Sequence, residues 1–178
     1  MRHTLSILLE NRFGELSRVV GLFSARGYNI DSLTVAETID PKVSRMTLVT
    51  SGNDATIEQI TRQLNKQIRV IEAVDMTGFK HIEREMALIN VRAGAGPARQ
   101  EVLSLVGIFR AKVVDVSSDG IIVEATGDWS KVSALIELLK PLGIREIVRT
   151  GAVAIARLSE QGAVEGPAAE IDDEELTA

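Results

Sequence analysis

One order of hydrophobic periodicities, strand–helix–strand–strand–helix–strand, is written twice along this chain, and few folds can absorb that order. In the first half, His3 to Leu9 alternates, with Leu5, Ile7 and Leu9 on one face of a half-buried strand. Leu16, Val19, Val20 and Phe23 follow at the spacing of an amphipathic helix, and Gly27 suits the left-handed position that ends one. Asn29 to Glu37 reads as a second strand whose alternation slips near Ser32, which predicts a bulge. Asp40 and Pro41 mark a turn, and Met46, Leu48 and Thr50 alternate in a third strand. Asp54 is expected to cap a helix bearing Ile57, Ile60 and Leu64, before a fourth strand with Val70, Val74 and Met76.

The second half repeats the order. Met86 to Val91 is a strand, Gly94 to Gly96 a turn, and Pro97 stands well at a first helical position. Val102, Leu105, Val106 and Phe109 form the helix stripe. Lys112 to Val116 and Gly120 to Ala125 pair through Ser117 to Gly120. Asp128 caps a helix carrying Val132, Leu135, Ile136 and Leu139, and Ile144 to Val148 closes the unit, with Val153 and Ile155 as an extension. The expected class is α+β, with two ferredoxin-like βαββαβ units, each of four antiparallel strands under two helices. The predicted boundaries are 1–77, a linker at 78–83, 84–158, and an acidic tail at 159–178. That tail has no apolar period and ends near the run Asp172 to Glu175, so it reads as solvated and disordered. Helices on one side leave a sheet's other face bare, and Leu8 beside Leu5 and Leu9 puts aliphatic groups on both faces. A homodimer is the expected cover.

Composition excludes several classes. The chain has no cysteine and two histidines, His3 and His81, neither in a carboxylate–nucleophile setting, so neither catalysis nor a metal site is expected. No stretch approaches the ~18 apolar residues of a membrane span. Glu10 and Arg12 interrupt the apolar run at the start, against a secretion signal, so a cytoplasmic protein is expected. RNA-recognition modules share the element order but stack bases on central-strand aromatics. None occurs in His3 to Leu9 or Val43 to Thr50, and the net charge is −5, so no nucleic-acid partner is expected. A ligand-responsive transcription factor would need a helix-turn-helix or a basic arm, and none is visible.

The segment from Leu8 to Leu33 carries the functional chemistry. Two turns, one with Asn11 and Gly14 and one with Gly27 and Asn29, bracket a helix and are expected to lie close together. Unpaired N–H groups and the dipole at a helix start hold a carboxylate, and Gly14 lets a ligand approach the backbone. The amides of Asn11 and Asn29 can accept from an ammonium or donate to a carboxylate. Leu9, Leu16 and Ile30 would line a branched aliphatic side chain. From spacing alone, ordinary loop closure and capping explain these residues at least as well.

The wording of the segment tips that balance. It resembles an ACT domain, the amino-acid-sensing module, and is similar to the regulatory small subunits of acetolactate synthase. The resemblance runs through Leu8-Leu9-Glu10-Asn11, Gly14, Leu16-Ser17-Arg18, Gly21-Leu22-Phe23, Arg26-Gly27-Tyr28-Asn29-Ile30, Ser32-Leu33-Thr34-Val35 and Ser44-Arg45-Met46-Thr47. His81-Ile82-Glu83-Arg84-Glu85, Ile108-Phe109-Arg110 and Val114-Asp115-Val116 extend it, and it fades after Leu158. It implies an ACT unit that pairs with its copy and holds valine between the loop before one chain's first helix and the other chain's second strand. Asn11, Gly14 and Asn29 would then contact the effector, with Glu15, Leu16 and Ile30 adding backbone and apolar contacts. It implies a non-catalytic subunit that activates the catalytic subunit and confers valine feedback inhibition in branched-chain amino-acid biosynthesis. Thiamine diphosphate, FAD and magnesium would sit on the catalytic subunit, with no cofactor on this chain.

Overall fold

The computed structural model of the chain describes residues 1–160, so the expected tail falls outside the described residues from 161 onward. The first unit consists of β1 (Arg2–Glu10), α1 (Glu15–Ser24), β2 (Ser32–Glu37), β3 (Val43–Ser51), α2 (Asp54–Leu64) and β4 (Val70–Asp75). A 3-10 turn at Met76–Gly78 leads into β5 (His81–Arg92), α3 (Pro97–Ile108), β6 (Lys112–Val116), β7 (Gly120–Gly127), α4 (Trp129–Gly143), β8 (Ile144–Arg149) and β9 (Val153–Ala156). The first sheet runs β2-β3-β1-β4 and the second β6-β7-β5-β8, both antiparallel, and β9 joins the start of β5. Both units are ferredoxin-like.

Alternation along the strands decides which side chains meet the helices. Leu5, Ile7 and Leu9 of β1, with Met46 and Leu48 of β3, pack against Val19, Leu22 and Phe23 of α1 and Ile57, Ile60 and Leu64 of α2. Ala87, Ile89 and Val91 of β5 do the same against Val102 and Val106 of α3 and Val132, Leu135 and Leu139 of α4. Gly27, at φ +70°, ends α1: its N–H reaches the Ser24 carbonyl at 3.1 Å and the Tyr28 N–H the Phe23 carbonyl at 3.0 Å. Among the described residues no helix is long and apolar enough to cross a membrane.

Several local expectations need correction. The second strand begins at Ser32, not Asn29, and pairs with β3 one-to-one without a bulge. The slip in alternation comes from a polar elbow at 29–31, where Asn29 donates to Asp31 at 2.7 Å and its carbonyl accepts from Thr50 at 2.6 Å. α2 is capped by Asn53, whose side chain accepts from the Thr56 N–H at 2.8 Å, and Asp54 is the first helical residue. The expected linker at 78–83 is strand from His81 on, because β9 returns to pair with His81–Arg84. The buried side of α1 is Glu15, Val19, Leu22 and Phe23, while Leu16 is 43% exposed.

The outer face of the first sheet is partly covered by the same chain. Thr4, Ser6, Thr47 and Val49 are only 2–5% exposed without a second copy. Arg2 binds Glu83 through two hydrogen bonds of 2.6 and 3.0 Å, and the Thr4 hydroxyl adds a third at 2.9 Å. Burial pushes the Glu83 carboxyl up, but the hydrogen bonds from Arg2 and Thr4 and the charges of Arg2 and His81 outweigh it and hold it below its ordinary value.

Asp128 caps α4 as its sequence position predicts, accepting from the Lys131 N–H at 2.8 Å. Its carboxyl is held below its ordinary value by the Ser130 hydroxyl first and the Lys131 N–H second. The carboxylate's contribution is therefore present above the unfolded value and lost as pH falls through the folded one. Asp128→Ala is expected to cost about 1 kcal/mol at neutral pH. Urea unfolding of the two proteins should show that gap narrowing in acid.

Candidate functional site

The loop between β1 and α1 is built around Gly14. Gly14 sits at φ +85° in the position that starts the helix, and no side chain caps α1. The Arg18 N–H reaches the Gly14 carbonyl at 3.1 Å, opening the helical ladder. The donors of the first turn are thus left without a side-chain partner, at the end where the helix dipole is positive. A Cβ built on Gly14 meets nothing within 4 Å, so glycine is needed here for its backbone angle and not for a tight contact inside the chain.

Asn11 is exposed and tied to the connection between β2 and β3. Its amide nitrogen donates to Glu37 at 3.1 Å and to the Pro41 carbonyl at 2.9 Å, and its N–H reaches the Lys42 carbonyl at 2.6 Å. Both side-chain donor directions are engaged, so the acceptor oxygen is what Asn11 has left to offer. Glu37, on the edge strand β2, brings a carboxylate beside it.

Glu15 shows why Leu16 is displaced from the core. Its side chain is 6% exposed, with Arg69 at 3.1 Å and Arg18 at 3.3 Å. A carboxylate can occupy a buried helix position only when paired in this way. Arg69 also lies 4.0 Å from Glu10, and its carbonyl accepts from the Glu10 N–H at 2.9 Å, so it clamps both ends of the Glu10–Glu15 loop. The spacing of apolar residues gave no sign of Arg69 or Glu37. A buried acid at the start of a helix needs a cation, and that was the available signal.

The expected closeness of the two turns does not hold within one chain. Asn11 lies by Lys42, next to the start of β3, and Asn29 by Thr50, near its end. Seven residues of strand at about 3.3 Å each separate those ends by roughly 23 Å. Leu9 is also excluded from any ligand lining, being 3% exposed in the core. Ile30 is half-buried against that core, while Phe13 and Ile39 are fully exposed and Val35 is 39% exposed. Among the described residues, no group of three or more His, Asp or Glu side chains is arranged to hold a metal.

A β2-β3-β1-β4 sheet with two helices on one face gives the first unit the form of an ACT-like fold. Residues 5–72 match the family model of the AHAS small subunit-like ACT domain, and residues 84–158 that of the small subunit of acetolactate synthase. The Mycobacterium leprae acetolactate synthase small subunit is 50% identical over 155 residues, 87% of this chain and 91% of that one. A probable acetolactate synthase small subunit of Archaeoglobus fulgidus is 49% identical over 88% of this chain and 98% of its own. The crystal structure of the Thermotoga maritima acetolactate synthase small subunit superposes with a TM-score of 0.78 at 43% identity, over 88% of this chain and 98% of that one. The chain belongs to the family of acetolactate synthase small subunits, the regulatory and not the catalytic component of the enzyme.

Proposed function

We propose that this chain works in the cytoplasm as a homodimer that binds the acetolactate synthase catalytic subunit, raises its activity and makes that activity answer to valine. The observation that carries the reading is the uncapped helix start at Gly14 next to Asn11 and Glu37, in a member of this family. The valine carboxylate meets the first N–H groups of α1, and its ammonium meets the Asn11 oxygen and the Glu37 carboxylate. Asn29 and Ile30 lie too far away in the same chain to join them. A two-fold axis running α1 against its copy would bring the partner's Asn29 to Asn11. The exposed Phe13, Leu16, Val35 and Ile39 and the open edge of β2 support a second copy there. Thiamine diphosphate, FAD and magnesium belong to the catalytic subunit in this scheme.

Valine bridging two chains favours one arrangement of the pair, and the bias reaches the catalytic subunit as a population shift. Such couplings are typically ~1–3 kcal/mol. The test is acetolactate formation by the catalytic subunit, with and without this chain, across a valine titration. Stimulation that valine reverses is the expected result. A chain that neither stimulates nor confers valine sensitivity would leave the family assignment standing and remove this role.

A further inference from the structure

The turn between β8 and β9, Thr150-Gly151-Ala152, belongs to the second unit but lies against the first unit's edge strand. The Ala152 N–H donates to the Ser32 hydroxyl at 3.0 Å, and the Thr34 hydroxyl donates to the Thr150 carbonyl at 3.2 Å. Ser32 and Thr34 are two apart on β2 and so share its outer face. Gly151 sits between them at φ +85°, and a Cβ there would stand 2.7 Å from the Ser32 oxygen and 2.8 Å from the Thr34 oxygen. Both the backbone angle and the lack of space select glycine at this position.

The same turn is fastened to the centre of the second sheet. The Thr150 N–H reaches the Met86 carbonyl at 3.0 Å, and the Met86 N–H reaches the Thr150 hydroxyl at 3.1 Å. Met86 belongs to β5, which pairs with both β7 and β8. On the other side, Ser32 follows directly on the elbow that holds Asn29 and Ile30. A shift of β2 must therefore either carry the turn with it or break two hydrogen bonds.

We propose that the Thr150–Ala152 turn, with Gly151 at its tip and the Ser32 and Thr34 hydroxyls as its sockets, is the element that couples effector occupancy at β2 to the second unit. The residues act through contact with β2 and touch no effector, so they are positioning residues. The inference rests on the valine reading above, and contiguous bonded contacts of this kind are one physical route for coupling between sites.

Two variants of the full chain, each reconstituted with the catalytic subunit, test it. Gly151→Ala forces the turn off β2. Ser32→Ala with Thr34→Val removes the hydroxyls without adding bulk at Gly151, and so keeps the test open if the first variant folds poorly. Calorimetry on the complex gives valine affinity, acetolactate formation gives the concentration for half-inhibition, and hydrogen exchange follows the Met86 and Thr150 amides. The expected result is valine affinity held within about twofold while half-inhibition rises at least about fivefold, the lower end of ordinary coupling factors. Faster exchange at Met86 and Thr150 should accompany it. Affinity and inhibition falling together, or neither changing in the double variant, would overturn the proposal. Parent protein that binds no valine would instead fail the effector reading. The coupling falls with it, since no effector occupancy is then left for the turn to transmit.

Discussion

Gly14→Asp is expected to give a folded chain that still stimulates the catalytic subunit and no longer responds to valine. Two opposed effects keep the fold nearly unchanged. The left-handed angle of +85° costs a side-chain-bearing residue about 1 kcal/mol, while a negative charge at the start of α1 recovers a part of that from the helix dipole. Space is not the obstacle, since a Cβ at Gly14 meets nothing within 4 Å. A net loss of up to about 1 kcal/mol in a unit this size lowers Tm by roughly 5 °C. The ligand suffers far more. Two carboxylates about 4 Å apart near a surface repel by roughly 4 kcal/mol, about a thousandfold in affinity. Thermal melting, stimulation and valine titration together separate the two effects. Retained inhibition at the parent's valine concentration would remove Gly14 from the site.

Arg69→Ala is expected to destabilise the first unit and weaken the valine response at once. Glu15 would keep only Arg18, which is 59% exposed at 3.3 Å, as partner to a carboxylate that is 6% exposed. Breaking a fully buried pair costs about 3–5 kcal/mol, but Arg69 is 34% exposed and Arg18 stays in contact, which brings this case down to about 1–2 kcal/mol. The loop from Glu10 to Glu15 keeps the Glu10 N–H bond to the carbonyl of residue 69 but loses the side-chain tie at its Glu15 end, so valine binding must order that end. A double variant distinguishes charge from packing. Glu15→Gln in the Arg69→Ala background should recover much of the lost stability in urea unfolding, because the unpaired charge is gone. A double variant no more stable than Arg69→Ala alone would mean that Arg69 acts through packing of its stem and not through Glu15.

Particular residues show how far local pattern reaches. Leu5, Ile7 and Leu9 announced β1, and Val132, Leu135, Ile136 and Leu139 announced α4, because burial on one face imposes a period that needs no knowledge of the partner. Gly27 and Asp128 were legible for a similar reason: a helix end has unpaired groups whose satisfaction is local. The elbow at Asn29–Asp31 broke the pattern, because it is held mainly by side chains: Thr50 on the Asn29 carbonyl, Ser51 on the Asp31 carboxylate and Asn29 on Asp31. Only the Asp31 N–H reaches a β3 carbonyl, that of Val49. The burial of Glu15 was not legible, because it depends on Arg69, distant in sequence.

The candidate site divides along the same line. Gly14 and Asn11 share one loop, so their chemistry was visible as a neighbourhood in the sequence, and the two-unit α+β class followed from periodicity alone. The separation of Asn11 from Asn29, the clamp of Arg69 on Glu10 and Glu15, and the seating of Gly151 between Ser32 and Thr34 were decided by tertiary structure. Each depends on strand order and on which ends of a sheet adjoin, and local periodicity carries no record of either.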